Sequence, residues 1–173
     1  MPHALLVRIK KSADGHTALT CIRPDGTSTW QRQEGAVARF FPRHDLTHFA
    51  VESVLGLNSG FYGLVSQGWD LSDFGTPWPR GPLPFEAALS ERIVGFFDRD
   101  RSTGYMGDAD ELNADLAEAI GDEEQILRTF TDGQLAAVRQ RRGELFARWD
   151  AIKPGDALEL PFDISPPAEI RGD

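Results

Sequence analysis

The chain has 173 residues, 40% hydrophobic and 26% charged, which is the composition of one globular domain with a real core and excludes a disordered or fibrous protein. Its formal charge of −9 argues against nucleic acid, because phosphate binding needs clustered Lys and Arg, and leaves a small molecule, a cation or a basic protein as partner. A single cysteine, Cys21, excludes an intrachain disulfide and suits a reducing compartment.

Residues 1–10, MPHALLVRIK, carry an apolar run too short for a signal peptide, with its charges after the run; no window reaches the length of a membrane span. These features predict a cytoplasmic protein without membrane segments. A globular domain is expected over residues 1–164, followed by a mobile tail over 165–173.

Residues 4–33 predict a three-stranded antiparallel meander. Leu5, Val7 and Ile9 alternate with Leu6 and Arg8, Asp14-Gly15 marks the first turn, and Pro24-Asp25-Gly26 marks the second. Gly35 interrupts the pattern. A helix is then expected from Pro42, placed in the first turn where its missing N–H costs nothing, to about Leu57. Leu46, Ala50, Val54 and Leu57 share one side of it, Phe49 lies beyond Leu46, and Val51 and Leu55 face nearly opposite. Such a helix is buried. On its remaining arc His44, His48 and Glu52 follow at i, i+4 steps, with Asp45 alongside, and ionisable groups there need partners or a cavity.

Residues 58–84 are punctuated by Gly60, Gly63, Gly68, Gly75 and Gly81, and by four prolines in the second half. A short helix fits FYGLVSQGW, whereas TPWPRGPLP is extended. The aromatics Phe61, Tyr62, Trp69, Phe74 and Trp78 either anchor this connection in the core or wall a pocket at the histidine arc. Further helices are expected over residues 85–98, 110–120, ended by Gly121, and 122–130. The last helix runs to Trp149 behind a Thr131–Gln134 capping box. In it Leu135, Val138, Leu145 and Phe146 face inward, and Arg139, Arg141, Arg142 and Arg148 are expected on a solvated face. KPGDALELPF supplies a turn and a final strand. The fold expected is therefore α+β: a small antiparallel sheet, the meander plus the C-terminal strand, packed against about five helices.

Histidines at i and i+4 project from adjacent turns and can converge on one metal ion, as in the His-Glu-x-x-His zinc helix. In His44-Asp45-Leu46-Thr47-His48 an aspartate takes the place of that motif's general base. Asp45 and Glu52 are the candidate catalytic carboxylates, and Asp45 can also orient a ligand. Glu52 is a poor third ligand, since it lies ~9 Å along the axis from a metal midway between the histidines. Asp70 and Asp73, in the following loop, are the nearest candidates to complete a set with His44 and His48. The same pentapeptide resembles the His-Asp-x-x-His zinc motif of the ubiquinone-biosynthesis protein family. That motif continues, past eleven intervening residues, with a glutamate where this chain has Gly60, so the resemblance covers five residues and implies no activity. The wider stretch resembles a family of small bacterial proteins with a His-Asp-x-x-His helix, which likewise implies none.

Two readings result. In the first the chain binds a divalent metal, zinc by its donor types, and can be a metal-dependent hydrolase. In the second it is a non-enzymatic acidic binding protein whose His/Asp/Glu arc is a structural network. Cys21, mid-strand and without a partner histidine, reads as a core residue. The acidic run from Asp108 to Glu118 lacks the spacing of a calcium loop and reads as a solvated helix face.

Overall fold

The computed structural model describes residues 4–120 and 128–163. Strands β1 (Leu5–Lys11), β2 (Thr17–Ile22), β3 (Ser28–Gln33) and β4 (Ala157–Phe162) form one antiparallel sheet in the order β3-β2-β1-β4. The register places Val7 between Cys21 and Leu160, and Ile9 between Leu19 and Leu158, while Leu5 pairs with Phe162. All of these side chains are buried, so the period of two along each strand produces one buried face, apolar across β1, β4 and most of β2 and polar towards β3, where Thr17, Thr29 and Gln33 are buried. On the opposite face Arg8 meets Glu159 at 2.7 Å. Cys21 belongs to the buried face, and burial pushes its thiol up to about 12, which makes it a core residue and a poor nucleophile at neutral pH.

Five α-helices cover the described residues: α1 (Gly35–Leu55), α2 (Phe61–Ser66), α3 (Phe85–Thr103), α4 (Ala109–Ile120) and α5 (Asp132–Ala151), with a 3-10 turn at Leu71–Phe74. The result is the α+β fold expected. Helix α1 lies centrally, against the sheet and between α3 and α5. It starts seven residues before Pro42, which therefore sits inside the helix and not in its first turn. The Pro42 ring removes one N–H, but neighbours on several sides hold α1 together, so tertiary packing overrides a local breaker. Gly56, at φ 67°, ends it in the left-handed conformation, with its N–H on the Glu52 carbonyl. Leu57 thus falls just outside the helix and is still fully buried. Leu46, Phe49, Ala50, Val51 and Leu55 are buried as expected, whereas Val54 is only partly so. Phe49 and Tyr62 meet Phe162 across the helix–sheet interface, with ring centroids 5.5 and 5.6 Å apart.

Helix α3 continues five residues past the expected end, closing at Gly104 with φ 73°. In α4, Leu112 and Leu116 are buried and Asp110, Asp115 and Glu118 are exposed. The reciprocal capping box of Thr131 and Gln134 opens α5. Its arginines correct the expected solvated face: Arg139 turns inward to Asp100 at 2.9 Å, and the mostly buried Arg142 lies 3.7 Å from the same carboxylate. Arg148 stays exposed. The short helix expected over 122–130 falls largely outside the described residues, as do Gly121 and the tail from 165. Among the described residues no helix is long and apolar enough to cross a membrane.

Candidate metal centre

His44, Asp45, His48 and Glu52 all come from α1. His48 and Glu52 are fully enclosed, with side chains 2% and 0% exposed, and His44 is mostly enclosed. Opposite them runs α3. As the chain moves back along α1 from His48 to His44, the partners advance along α3 from Glu91 to Asp98, so the two helices pack antiparallel. His48 Nε2 lies 3.3 Å from Glu91 Oε1, and the two imidazole centroids are 4.9 Å apart. One ligand atom from each of His44, His48 and Glu91 falls within 4.8 Å of the others, so this group can hold a metal ion.

The remaining ring nitrogens are already engaged. His44 Nδ1 lies 2.7 Å from Asp98 Oδ2, whose other oxygen has Arg101 3.7 Å away. His48 Nδ1 lies 3.2 Å from Glu52 Oε1. A carboxylate on Nδ1 holds the proton there and leaves Nε2 as the basic, ligating nitrogen, which is the orientation metal-bound histidines ordinarily have. Glu52 is fixed in turn. It accepts the backbone N–H groups of Phe61 and Tyr62 at 2.7 and 2.9 Å, at the start of α2, and the Ser90 hydroxyl at 2.9 Å.

Gly60 makes room for this carboxylate. A Cβ there would lie 2.6 Å from Glu52 Cδ, so the position at which the resembling motif carries glutamate accepts no side chain here. The carboxylate of the group comes from Glu91 on another helix.

Electrostatics differ sharply across the site. Burial by itself presses the His48 imidazole downward, but hydrogen bonds to Glu52 and Glu91 and their charges outweigh it and hold its pKa up to about 10. Glu91, 45% exposed, is held below the ordinary glutamate value: its desolvation acts upward, and the hydrogen bond and charge of His48 outweigh that. Asp45 is buried, and burial pushes its carboxyl up to about 7 against the pull of His44 and His48. Gln33, itself buried and accepting from Thr17, also draws the Asp45 carboxyl downward. Asp45 Oδ2 is left without a hydrogen-bond partner among the described residues.

His44, Asp45, His48 and Glu91 line a cleft of about 490 Å³. Its other walls come from β3 (Trp30), α1 (Phe41), α2 (Phe61) and the connection after α2 (Leu71, Phe74). The connection therefore reaches the histidine arc. Phe61 packs on His48 with centroids 5.1 Å apart, and the Tyr62 hydroxyl donates to the Asp45 carbonyl at 3.0 Å. Trp69 packs instead on Phe74 and beneath Arg80.

Of the expected ligands, the structure brings His44 and His48 together but does not add Asp70 or Asp73 to their group. Asp70 and Asp73 cap the 3-10 turn reciprocally, and their carboxylates lie 3.1 Å from Arg23 and 2.7 Å from Arg80. Glu91 takes the third place, and Asp98 orients His44. Their signal in the sequence is spacing: seven residues apart, they share one face of α3. Asp45 lines the cleft and Glu52 supports His48 from behind, so the two candidate carboxylates occupy different positions.

No protein-family model, curated protein or solved structure matches the chain.

Proposed function

We propose that the chain is a divalent-metal protein with His44, His48 and Glu91 as ligands, and that it works as a metal-dependent hydrolase. The observation that carries this reading is the convergence of those three donors at the edge of a cleft while each histidine's Nδ1 is occupied by its own carboxylate. Two imidazoles and one carboxylate suit zinc, and three protein ligands leave a further position open towards the cleft for water or substrate. A divalent ion there would lower the pKa of a bound water and polarise an acyl oxygen. Asp45 is the candidate general base in this reading, because it lines the cleft and its buried Oδ2 has no hydrogen-bond partner among the described residues. It would take the proton from the water as the hydroxyl added to the acyl carbon, and return that proton to the leaving group. Glu52 acts as the positioning residue for His48.

The binding-protein reading has its own support. His48 is paired at both nitrogens without any metal, and Glu52 satisfies the start of α2, so the arc also works as a structural network. Elemental analysis of untagged protein separates the two. The metal reading expects one divalent ion per chain, removed by chelator and lost in His44→Ala and Glu91→Gln. Glu91 is the informative position, because its exposure lets the variant fold. A wild-type protein with no bound metal, and a melting temperature indifferent to zinc and chelator, overturns the metal centre and leaves the network.

A further inference from the structure

We infer that the cleft beside His44, His48 and Glu91 takes an uncharged ligand with an aromatic or similarly flat apolar body and one metal-seeking oxygen, and that it rejects phosphate esters and other anions. This inference rests on the metal reading and names its ligand class. The body of the ligand is set by the walls: Phe41 meets the His44 ring edge-on at 5.7 Å, the rings of Phe61 and Phe74 pack 4.6 Å apart, and Leu71 completes the apolar lining. Phe41 is the telling residue. It is only partly buried, one turn before His44 on α1, where it lines the cleft. Lining the cleft gives it a surface to offer a ligand.

The charge of the ligand follows from the ionisable lining. Asp45 and Glu91 are both carboxyl groups, and no Lys or Arg is among the described residues that line the cleft. The basic groups nearby are committed elsewhere: Arg101 lies over the Phe40 ring and beside Asp98, and Arg80 is bonded to Asp73. Glu91 offsets part of the charge of a bound divalent ion, and the lining offers no side-chain cation to neutralise a phosphate. An anion entering here would be desolvated against negative charge without a cationic clamp, which is costly in a partly enclosed site. The polar lining besides these groups is Gln31 and Ser72, which can bond a neutral hydroxyl, carbonyl or amide.

Three probes isolate these features on zinc-loaded wild-type protein: benzohydroxamic and acetohydroxamic acid, which enter neutral and pass the N-hydroxyl proton to Asp45 on ligating zinc, and phenyl phosphate, which enters as an anion; each is titrated calorimetrically after zinc content is measured. Benzohydroxamic acid is expected to bind at least ~10-fold more tightly than acetohydroxamic acid, through burial of its ring. Phenyl phosphate, which carries the same ring with a dianion, is expected to bind most weakly of the three. Phe41→Ala should lose most of the advantage of the ring, and Phe41→Tyr should keep most of it, with zinc content unchanged in both. Zinc retained with equal hydroxamate affinities, or with phenyl phosphate the tightest ligand, overturns the ligand class and leaves the metal centre standing. Zinc absent from the wild-type protein overturns the centre and this inference with it.

Discussion

At the scale of single residues, Asp45 and Gly60 carry the most informative expectations. Asp45 keeps its proton to about pH 7 in the folded chain, against a value of 3.8 for the ordinary side chain. Below pH 3.8 both folded and unfolded forms are protonated and nothing is lost. Between there and pH 7 only the unfolded form ionises, so Asp45 lowers stability progressively, and above pH 7 the loss stays constant. Asn carries no such slope. Urea unfolding in chelator should therefore show the stability of wild type falling relative to Asp45→Asn from pH 4 to 7 and levelling above it. A difference that is flat across that range would mean Asp45 ionises as freely in the folded protein as in the unfolded one. Gly60, at φ −73°, needs no special backbone freedom; it needs empty space. Gly60→Ala should push Glu52 off the N–H groups of Phe61 and Tyr62, lowering stability by ~1–3 kcal/mol. By releasing His48 it should also weaken metal binding by ~10–100-fold. Unchanged stability and affinity would show that Glu52 can move without consequence.

At the scale of elements, α1 departs most from its expected form. Its apolar residues surround nearly the whole circumference because it packs against the sheet, α3 and α5 at once, which also explains why Pro42 is tolerated within it. Leu46 is fully buried at its centre, and Leu46→Ala should lower unfolding free energy by ~2–5 kcal/mol. Val54, only partly buried, should cost less on truncation to Ala, and chemical denaturation of both variants measures the difference. Equal costs would place Val54 in the core. The start of α1 was not legible because the residues before Pro42 include no capping side chain: Glu34 occupies the N-cap without a side-chain bond. The capping box of α5 was legible, since both of its partners lie within four residues. Arg139 and Arg142 were misread for the converse reason. Their partner, Asp100, belongs to α3, and a helical spacing records nothing of what another helix brings opposite.

At the scale of the whole molecule, metal binding should be linked to both stability and pH. Zinc at one hundred times its dissociation constant should stabilise the wild type by ~2.7 kcal/mol, and thermal melts with and without chelator read this directly. His48 sets the pH dependence. In the metal-free protein its raised pKa means that the paired imidazolium contributes fully below about 6.5, its ordinary value, and that this contribution is lost as pH rises through about 10. A metal at Nε2 must displace that proton, so zinc affinity should rise by ~10-fold per pH unit between pH 7 and 9. Competition titrations against a chelator of known affinity give the slope. An affinity independent of pH over that range would remove His48 as a ligand.

The sequence by itself determined what short-range geometry governs: the alternation that buries one face of the sheet, the Asp-Gly and Pro-Asp-Gly turns, and the two histidines on adjacent turns of one helix. Each depends on residues within a few positions of one another, whose relative directions are set by the strand or helix they share. Only the tertiary structure decided the rest. Glu91 and Asp98 meet His48 and His44 because α1 and α3 pack antiparallel, and a separation of over forty residues leaves no local pattern that links their shared helix face to the histidines. Asp70 and Asp73 were nearer in sequence, but the turn they cap and the arginines they meet hold their carboxylates there. The aromatic cleft is likewise assembled from β3, α1 and the segments after it, and its charge balance exists only once those elements are packed.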